Sequence, residues 1–159
     1  MVSVMEGDNI HIGKLPIKNQ LNFIALVPNF ELSTSKAREV LPKEIGYKDG
    51  IYNVSRVSIL LTALATGDNS LIKLGLQDKF HQPYRGKLIP GFDDIISAIN
   101  KKGALGSYLS GAGPTIMCIG EGEDTQLIKD IEDFIKSKYP GWEVFVHKLD
   151  ETGAQSYIG

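Results

Sequence analysis

A run of small residues, Ser-Gly-Ala-Gly-Pro at positions 110–114, constrains the fold more than any other feature of this sequence. Residues 104–108 precede it and residues 116–119 follow it, and both segments have the composition of buried strands. Glycine reaches backbone angles closed to other residues, so the chain can reverse tightly here or approach a ligand closely. The pattern predicts two strands joined by a turn, which is either a plain hairpin turn or an anion-accepting surface lined by N–H groups.

Length and composition narrow the class of protein. The 159 residues suffice for one packed domain, and 42% hydrophobic with 23% charged residues is typical of globular proteins. A net charge of -2 gives no electrostatic basis for binding nucleic acid, and no apolar run is long enough to span a membrane. The single cysteine, Cys118, lies in an apolar run, and the three histidines lack ligand spacing. We therefore expect no disulfide, no metal site and a cytoplasmic location.

Residues 1–18 alternate between apolar and polar positions around a turn at residues 6–9, which predicts a β-hairpin. An isolated two-stranded hairpin is only marginally stable. We therefore interpret residues 1–18 as the remnant of a preceding domain or domain junction, and residues 19–159 as one domain.

Strand and helix patterns alternate along the rest of the chain. Apolar side chains recur with helical spacing at residues 47–66, 92–102 and 125–138, and a short helix is predicted at residues 35–40 with Ser33 or Thr34 as its N-cap. Another helix, capped by Asn69 or Ser70, is predicted through Phe80, and prolines interrupt residues 81–90. Strand patterns lie at residues 22–27, on both sides of the small-residue run and at residues 142–149. This order predicts an α+β fold: a ferredoxin-like split β-α-β antiparallel sheet backed by helices, with inserted helices after the first strand.

Three of the 17 basic residues are arginines, and all three lie in the inserted part of the chain. Arginine is suited to bidentate capture of a carboxylate or a phosphate. Arg38 follows Thr34 by one helical turn, so the two side chains can share a face. Arg85 lies in a loop stiffened by prolines, which lowers the entropic cost of holding its side chain. Each arginine alone fits a surface ion pair, but Arg38 and Arg85 together with the small-residue run indicate a site for an anion.

Other polar residues fit structural roles. Asn53 and Arg56 lie near the start of the long helix, where Arg56 also suits an exposed ion pair. His81 is expected to cap or pack a helix rather than to catalyse a reaction. Ser110 lacks the Gly-x-Ser-x-Gly context between a strand and a helix that a nucleophile elbow needs.

Several motifs resemble a known family. The sequence Leu-Ser-Gly-Ala-Gly-Pro-Thr at 109–115 is similar to the third motif of the GHMP kinase superfamily, which includes galactokinases and mevalonate kinases. Residues 27–42, Asn-Val-Ser-Arg at 53–56, and His-Gln-Pro-Tyr-Arg at 81–85 with Leu-Ile-Pro at 88–90 resemble homoserine kinases in particular. The motifs occur in the family's order and with family-like spacing between residues 21 and 119.

The resemblance implies a kinase that transfers the γ-phosphoryl group of ATP, with Mg²⁺, to the hydroxyl group of L-homoserine in threonine biosynthesis. It implies that Arg38 and Arg85 bind the homoserine carboxylate and that Thr34 lies beside them. It also implies that Gly111, Ala112 and Gly113 shape the cleft and support the nucleotide loop of another domain. No residue of this sequence matches a metal ligand of the family.

The family's nucleotide loop, Pro-x-x-x-Gly-Leu-Gly-Ser-Ser-Ala, is absent from the 159 residues. We therefore interpret the chain as the C-terminal part of a homoserine kinase, inactive without an N-terminal ATP-binding domain. Its bare domain surface would favour self-association, for example as a homodimer. Two alternatives remain open at this point: a free-standing ferredoxin-like module that binds an amino acid for regulation, and a related kinase with another small substrate.

Overall fold

The computed structural model describes residues 2–150, 152–153 and 156–157, so parts of the predicted domain 19–159 lie outside the described residues. The strands of the described residues are β1 Val2–Glu6, β2 Asn9–Gly13, β3 Leu21–Val27, β4 Gly106–Leu109, β5 Ile116–Glu121 and β6 Glu143–His147. The α-helices are α1 Thr34–Glu39, α2 Tyr47–Thr66, α3 Ile72–Gly75, α4 Gln82–Arg85, α5 Phe92–Lys101 and α6 Thr125–Lys138. Helices α2 and α6 have the predicted bounds.

Four strands form one antiparallel sheet in the order β4-β5-β3-β6. The central strand β3 pairs on both sides, with Ile24 opposite Cys118 of β5 and opposite Val146 of β6. Numbered within the sheet, the order is 2-3-1-4, which is the arrangement of a split β-α-β fold. The predicted ferredoxin-like sheet is confirmed.

One face of the sheet packs against α5 and α6. Alternate residues of β3, Ile24 and Leu26, point to this face, as a strand period of two requires. Apolar side chains at helical spacing complete the layer: Ile95 and Ile99 from α5, and Leu127, Ile131 and Ile135 from α6. The carboxylate of Asp124 caps α6 by accepting from the N–H of Leu127 at 2.9 Å.

The inserted helices cover the opposite face of the sheet. Leu21 of β3 and Ile119 of β5 form a second core cluster with Ala63 of α2 and Ile72 of α3. Ala63 is the fully buried residue of α2, and the first half of the helix exposes apolar side chains. These exposed residues are Tyr47, Ile51, Val54 and Val57.

The helix predicted from residue 69 or 70 through Phe80 is wrong in its length and its cap. Asp68 caps a short 3₁₀ turn, and the α-helix that follows ends at Gly75. The N–H groups of residues 80–82 bond to the side chain of Asp78 rather than to carbonyl groups one turn earlier. The last strand is also shorter than predicted, ending at His147.

The predicted N-terminal hairpin is present, with β1 and β2 paired from Val2 opposite Gly13 to Glu6 opposite Asn9. Every residue of both strands is exposed. Its apolar side chains lie on both faces of the hairpin: Val2, Val4, Met5, Ile10 and Ile12. The hairpin therefore has no buried face within the described residues.

Cys118 lies at the centre of the first core cluster, and burial raises the pKa of its thiol to about 12. Because the thiolate is the reactive form, we expect an aromatic disulfide reagent at pH 8 to modify Cys118 only as fast as the protein unfolds. The measurement is the absorbance of the released thiolate with and without urea. Complete labelling of the native protein within seconds would contradict the structure.

Candidate functional site

Arg85 lies at the end of α4, where its guanidinium joins two parts of the chain that are distant in sequence. Its Nε donates to the carbonyl oxygen of Ala37 in α1 at 3.0 Å. Its Nη1 donates to the carbonyl oxygen of Gly111, between β4 and β5, at 3.0 Å. The two hydrogen bonds fix Arg85 against both α1 and the turn that follows β4.

The glycine turn, residues 110–115, connects β4 to β5. The N–H of Ser110 donates to the carbonyl of Thr115 at 2.9 Å, and the N–H of Gly113 donates to the carbonyl of Ser110 at 2.9 Å. Gly111 and Gly113 have φ angles of 55° and 87°, a region that side chains rarely occupy. A Cβ on Gly113 would lie 3.1 Å from a leucine methyl group, whereas Gly111 faces open space. The turn presents a carbonyl, and not an N–H group, to the arginine of α4.

Helix α1 carries the other two predicted side chains of the site. Ser33, one of the two predicted caps, accepts a backbone N–H of the helix at 3.3 Å. Thr34 and Arg38 are one turn apart and both are exposed. Ala37 is buried beside Arg38, and its carbonyl is the one that Arg85 contacts. Arg38 therefore immediately follows the residue that Arg85 contacts.

A cavity of about 660 Å³ lies between α2, α4 and the glycine turn. Sites for small ligands typically measure about 300–1,000 Å³. Of the predicted site residues, Arg85 and Gly111 line this cavity, whereas Thr34, Arg38, Ala112 and Gly113 do not. The other lining residues are Asn53, Val54, Val57, Ser58, Gly75, Leu76, Gln77, Asp78, Phe80, His81, Gln82, Tyr108 and Leu109.

The positive charges of Arg38 and Arg85 are not neutralised locally. Neither guanidinium forms an ion pair with any carboxylate of the described residues. A guanidinium has five N–H donors, and Arg85 uses two of them on backbone carbonyls. Because the Arg85 guanidinium is held in place and forms no ion pair, its remaining N–H donors favour a carboxylate or phosphate group as acceptor.

Asp78 and Gln82 were not predicted as site residues, although both line the cavity. Burial raises the pKa of Asp78, but hydrogen bonds from the Asn53 side chain and from the N–H groups of residues 80–82 outweigh it and lower the pKa below its ordinary value. The available signal was an Asp five residues before Pro83, since acidic side chains favour the start of a helix. The helix predicted through Phe80 places Asp78 within a helix and not before the start of one.

The other residues considered have structural contacts. Arg56 stacks over the ring of Tyr52 at 4.0 Å and donates to Gln77 at 3.2 Å, instead of pairing with an acidic residue. His81 is exposed, with its Nδ1 3.7 Å from the carboxylate of Asp78. In the part of the chain that the structure describes, no group of three His, Cys, Asp or Glu side chains is arranged to hold a metal ion. No helix there is long and apolar enough to cross a membrane.

Comparison with curated proteins finds relatives over almost the whole chain. A homoserine kinase of Clostridium beijerinckii is 42% identical over 154 residues, which is 97% of this chain and 52% of that protein. A homoserine kinase of Clostridium botulinum is 44% identical over 151 residues, covering 95% of this chain and 51% of the relative. The chain spans about half the length of the curated relatives it matches.

Solved structures share the fold. The homoserine kinase of Cytophaga hutchinsonii superposes with a TM-score of 0.79 at 33% identity, over 86% of this chain and 44% of that one. A mevalonate kinase of L. major has a TM-score of 0.67 at 17% identity over 92% of this chain and 47% of that one, a likeness of fold alone.

The family profile described as GHMP kinases C terminal matches residues 60–141. This segment is just over half of the chain and contains α4, the glycine turn and two of the four strands of the sheet, β4 and β5. The chain therefore belongs to the GHMP kinase family and carries its C-terminal domain.

Proposed function

We propose that this chain is the substrate-binding, C-terminal half of a cytoplasmic homoserine kinase, which converts ATP and L-homoserine to O-phospho-L-homoserine. The observation that carries the proposal is the unpaired Arg85, which lines a cavity and is held by two backbone carbonyls. Relatives named homoserine kinase align with 95% and 97% of the chain that carries this arrangement. The substrate is thus a small molecule that carries a carboxylate.

In this proposal Arg85 and Arg38 bind the homoserine carboxylate, and Thr34 lies beside them on α1. Because the Arg85 side chain is already immobilised by its two hydrogen bonds, binding costs less conformational entropy than for a free arginine. Gly111, Ala112 and Gly113 shape the adjacent wall of the cleft. The hydroxyl group of homoserine would then point away from the arginines toward the nucleotide.

ATP and Mg²⁺ are assigned to a preceding domain, because the nucleotide loop of the family is absent from the 159 residues. The exposed hairpin of residues 2–13 and the exposed apolar side chains of α2 fit surfaces that such a domain covers. In the isolated chain these surfaces would favour self-association, for example as a homodimer.

A kinase assay tests the proposal. The chain alone is expected to give no ATP-dependent phosphorylation of homoserine. Fusion to the preceding half of the C. beijerinckii homoserine kinase is expected to give homoserine-dependent release of ADP, because positioning and charge neutralisation around the phosphates are then complete. Turnover by the isolated chain, or none by a folded fusion, would contradict it.

Two outcomes would favour the alternatives. Micromolar binding of homoserine or threonine by the isolated chain, measured by calorimetry, would indicate a regulatory amino-acid-binding module. Phosphorylation of another small alcohol but not of homoserine by the fusion would indicate a related kinase of the same superfamily.

A further inference from the structure

We propose that Asp78 is a positioning residue, which holds α4 so that the Arg85 guanidinium faces the cavity. The functional meaning of that position rests on the proposed carboxylate binding. The placement of Arg85 itself is independent of which ligand it binds.

The Asp78 carboxylate organises the start of α4 with both of its oxygens. Oδ1 accepts from the N–H of Phe80 at 2.9 Å, and Oδ2 accepts from the N–H groups of His81 at 2.7 Å and Gln82 at 2.5 Å. A helix of four residues is too short to be stable by itself. The orientation of α4 therefore depends on groups outside the helix. Asp78 is such a group, because its carboxylate binds the N-terminal end of α4.

Asp78 is in turn fixed to the long helix α2. Asn53 Nδ2 donates to Asp78 Oδ1 at 2.7 Å, and Asn53 Oδ1 accepts from the N–H of Lys79 at 2.9 Å. The Asn53 amide thus uses both of its ends on the segment that leads into α4. Because α2 is 20 residues long and packs on the sheet, it is a rigid reference for this segment.

Arg85 is the last residue of α4, about one helical turn after the residues that Asp78 binds. Gln82 adds a second tie, with Nε2 donating to the carbonyl of Leu76 at 3.0 Å and Oε1 accepting from the N–H of Leu109 in β4 at 3.1 Å. Arg85 then reaches across to α1 and the glycine turn. A continuous set of hydrogen bonds therefore runs from α2 through Asp78 to the guanidinium.

The four hydrogen bonds to Asp78 favour its ionised carboxylate, and they lower its pKa below the ordinary value. An amide in its place keeps the shape but directs an NH₂ group at backbone N–H donors, which leaves them unsatisfied. The stabilisation by Asp78 is complete above the ordinary carboxyl pKa near 4 and is lost as the pH falls through the lower folded value. His81 is the titratable side chain that faces it, at 3.7 Å.

The test compares Asp78→Asn with Asp124→Asn in the 159-residue chain. Asp124 caps α6, accepting from Leu127 N–H at 2.9 Å, and α6 contributes nothing to the cavity. The readout is solvent exchange of the Arg85 Nε–H, measured by NMR. We expect exchange about tenfold faster in Asp78→Asn, because the hydrogen bond to Ala37 is weakened, and unchanged exchange in Asp124→Asn. Unchanged exchange in both variants would overturn the proposal.

Asn53→Ala keeps the proposal falsifiable if Asp78→Asn does not fold. It removes one donor to Asp78 without placing a new donor there, and several-fold faster exchange of the Arg85 Nε–H is expected. Exchange equal to that of the unmodified chain would overturn the proposal in this case also.

Kinetics of the fusion protein separate positioning from stability. In Asp78→Asn the KM for homoserine is expected to rise about tenfold while the KM for ATP stays constant. If Asp78 only stabilised the fold, the substitution would lower the fraction of folded protein. The measured kcat would then fall, and both KM values would stay unchanged. If the unmodified fusion does not phosphorylate homoserine, the proposed function fails, and the exchange measurement still decides the role of Asp78.

Discussion

Arg85→Met is expected to raise the KM for homoserine about 100-fold in the fusion protein, with the KM for ATP little changed. The reason is that the substrate carboxylate would lose one of its two proposed arginine partners, and loss of a buried charged partner typically costs about 2–5 kcal/mol. The Arg85 guanidinium is held in place by Ala37 and Gly111, so the substitution removes a preorganised donor. Initial-rate kinetics with each substrate varied in turn give both constants.

Arg56→Met is the matched control, since it removes the same charge from α2. Arg56 is held by the Tyr52 ring and Gln77 and does not line the cavity. We expect its KM for homoserine to change less than threefold, about 0.6 kcal/mol. Equal effects of the two substitutions would mean that general positive charge, and not the position of Arg85, attracts the substrate.

Gly75→Ala is expected to lower the free energy of unfolding by about 3 kcal/mol, at the upper end of typical overpacking costs. Gly75 of α3 lies against α2, and a Cβ there would lie 2.7 Å from the Cα and 2.8 Å from the N of Leu60. These are backbone atoms, so the contact can be relieved only by separating the two helices. Urea denaturation followed by circular dichroism measures the loss.

Gly50→Ala makes the same chemical change in α2 with the opposite expected sign. A Cβ on Gly50 meets nothing within 4 Å, so only the helix propensity changes. The free energy of unfolding should rise by about 0.5–1 kcal/mol, because alanine restricts the unfolded chain. A Gly75→Ala variant as stable as the parent would show that α2 and α3 do not pack as closely as described.

The elements with long periodic patterns were predictable from the sequence. Helices α2 and α6 have the predicted bounds because each combines an apolar stripe with a clear end: Gly67 in left-handed conformation after α2, and the Asp124 cap before α6. The segment of residues 76–80 was not predictable. Its backbone donors bond to a side chain, and no periodicity of apolar residues reports such bonds.

The candidate site was predicted in part. Arginine chemistry and the small-residue run indicated Arg85 and Gly111 independently, and the two residues are in contact. The sequence did not indicate that the contact uses a carbonyl of the turn, because the orientation of a peptide group depends on tertiary structure. The roles in substrate binding of all six residues remain predictions: Thr34, Arg38, Arg85, Gly111, Ala112 and Gly113.

The sequence alone determined the order of strands and helices and the antiparallel sheet, because these depend on apolar spacing and on turn residues within a few positions of each other. Tertiary structure alone decided that α2 and α3 cover the second face of the sheet, and that Asn53, Asp78 and Arg85 form one connected set. Such pairings join residues 25 or more positions apart. The geometry of these pairings depends on how the helices pack on the sheet, and this packing cannot be inferred from short-range sequence patterns.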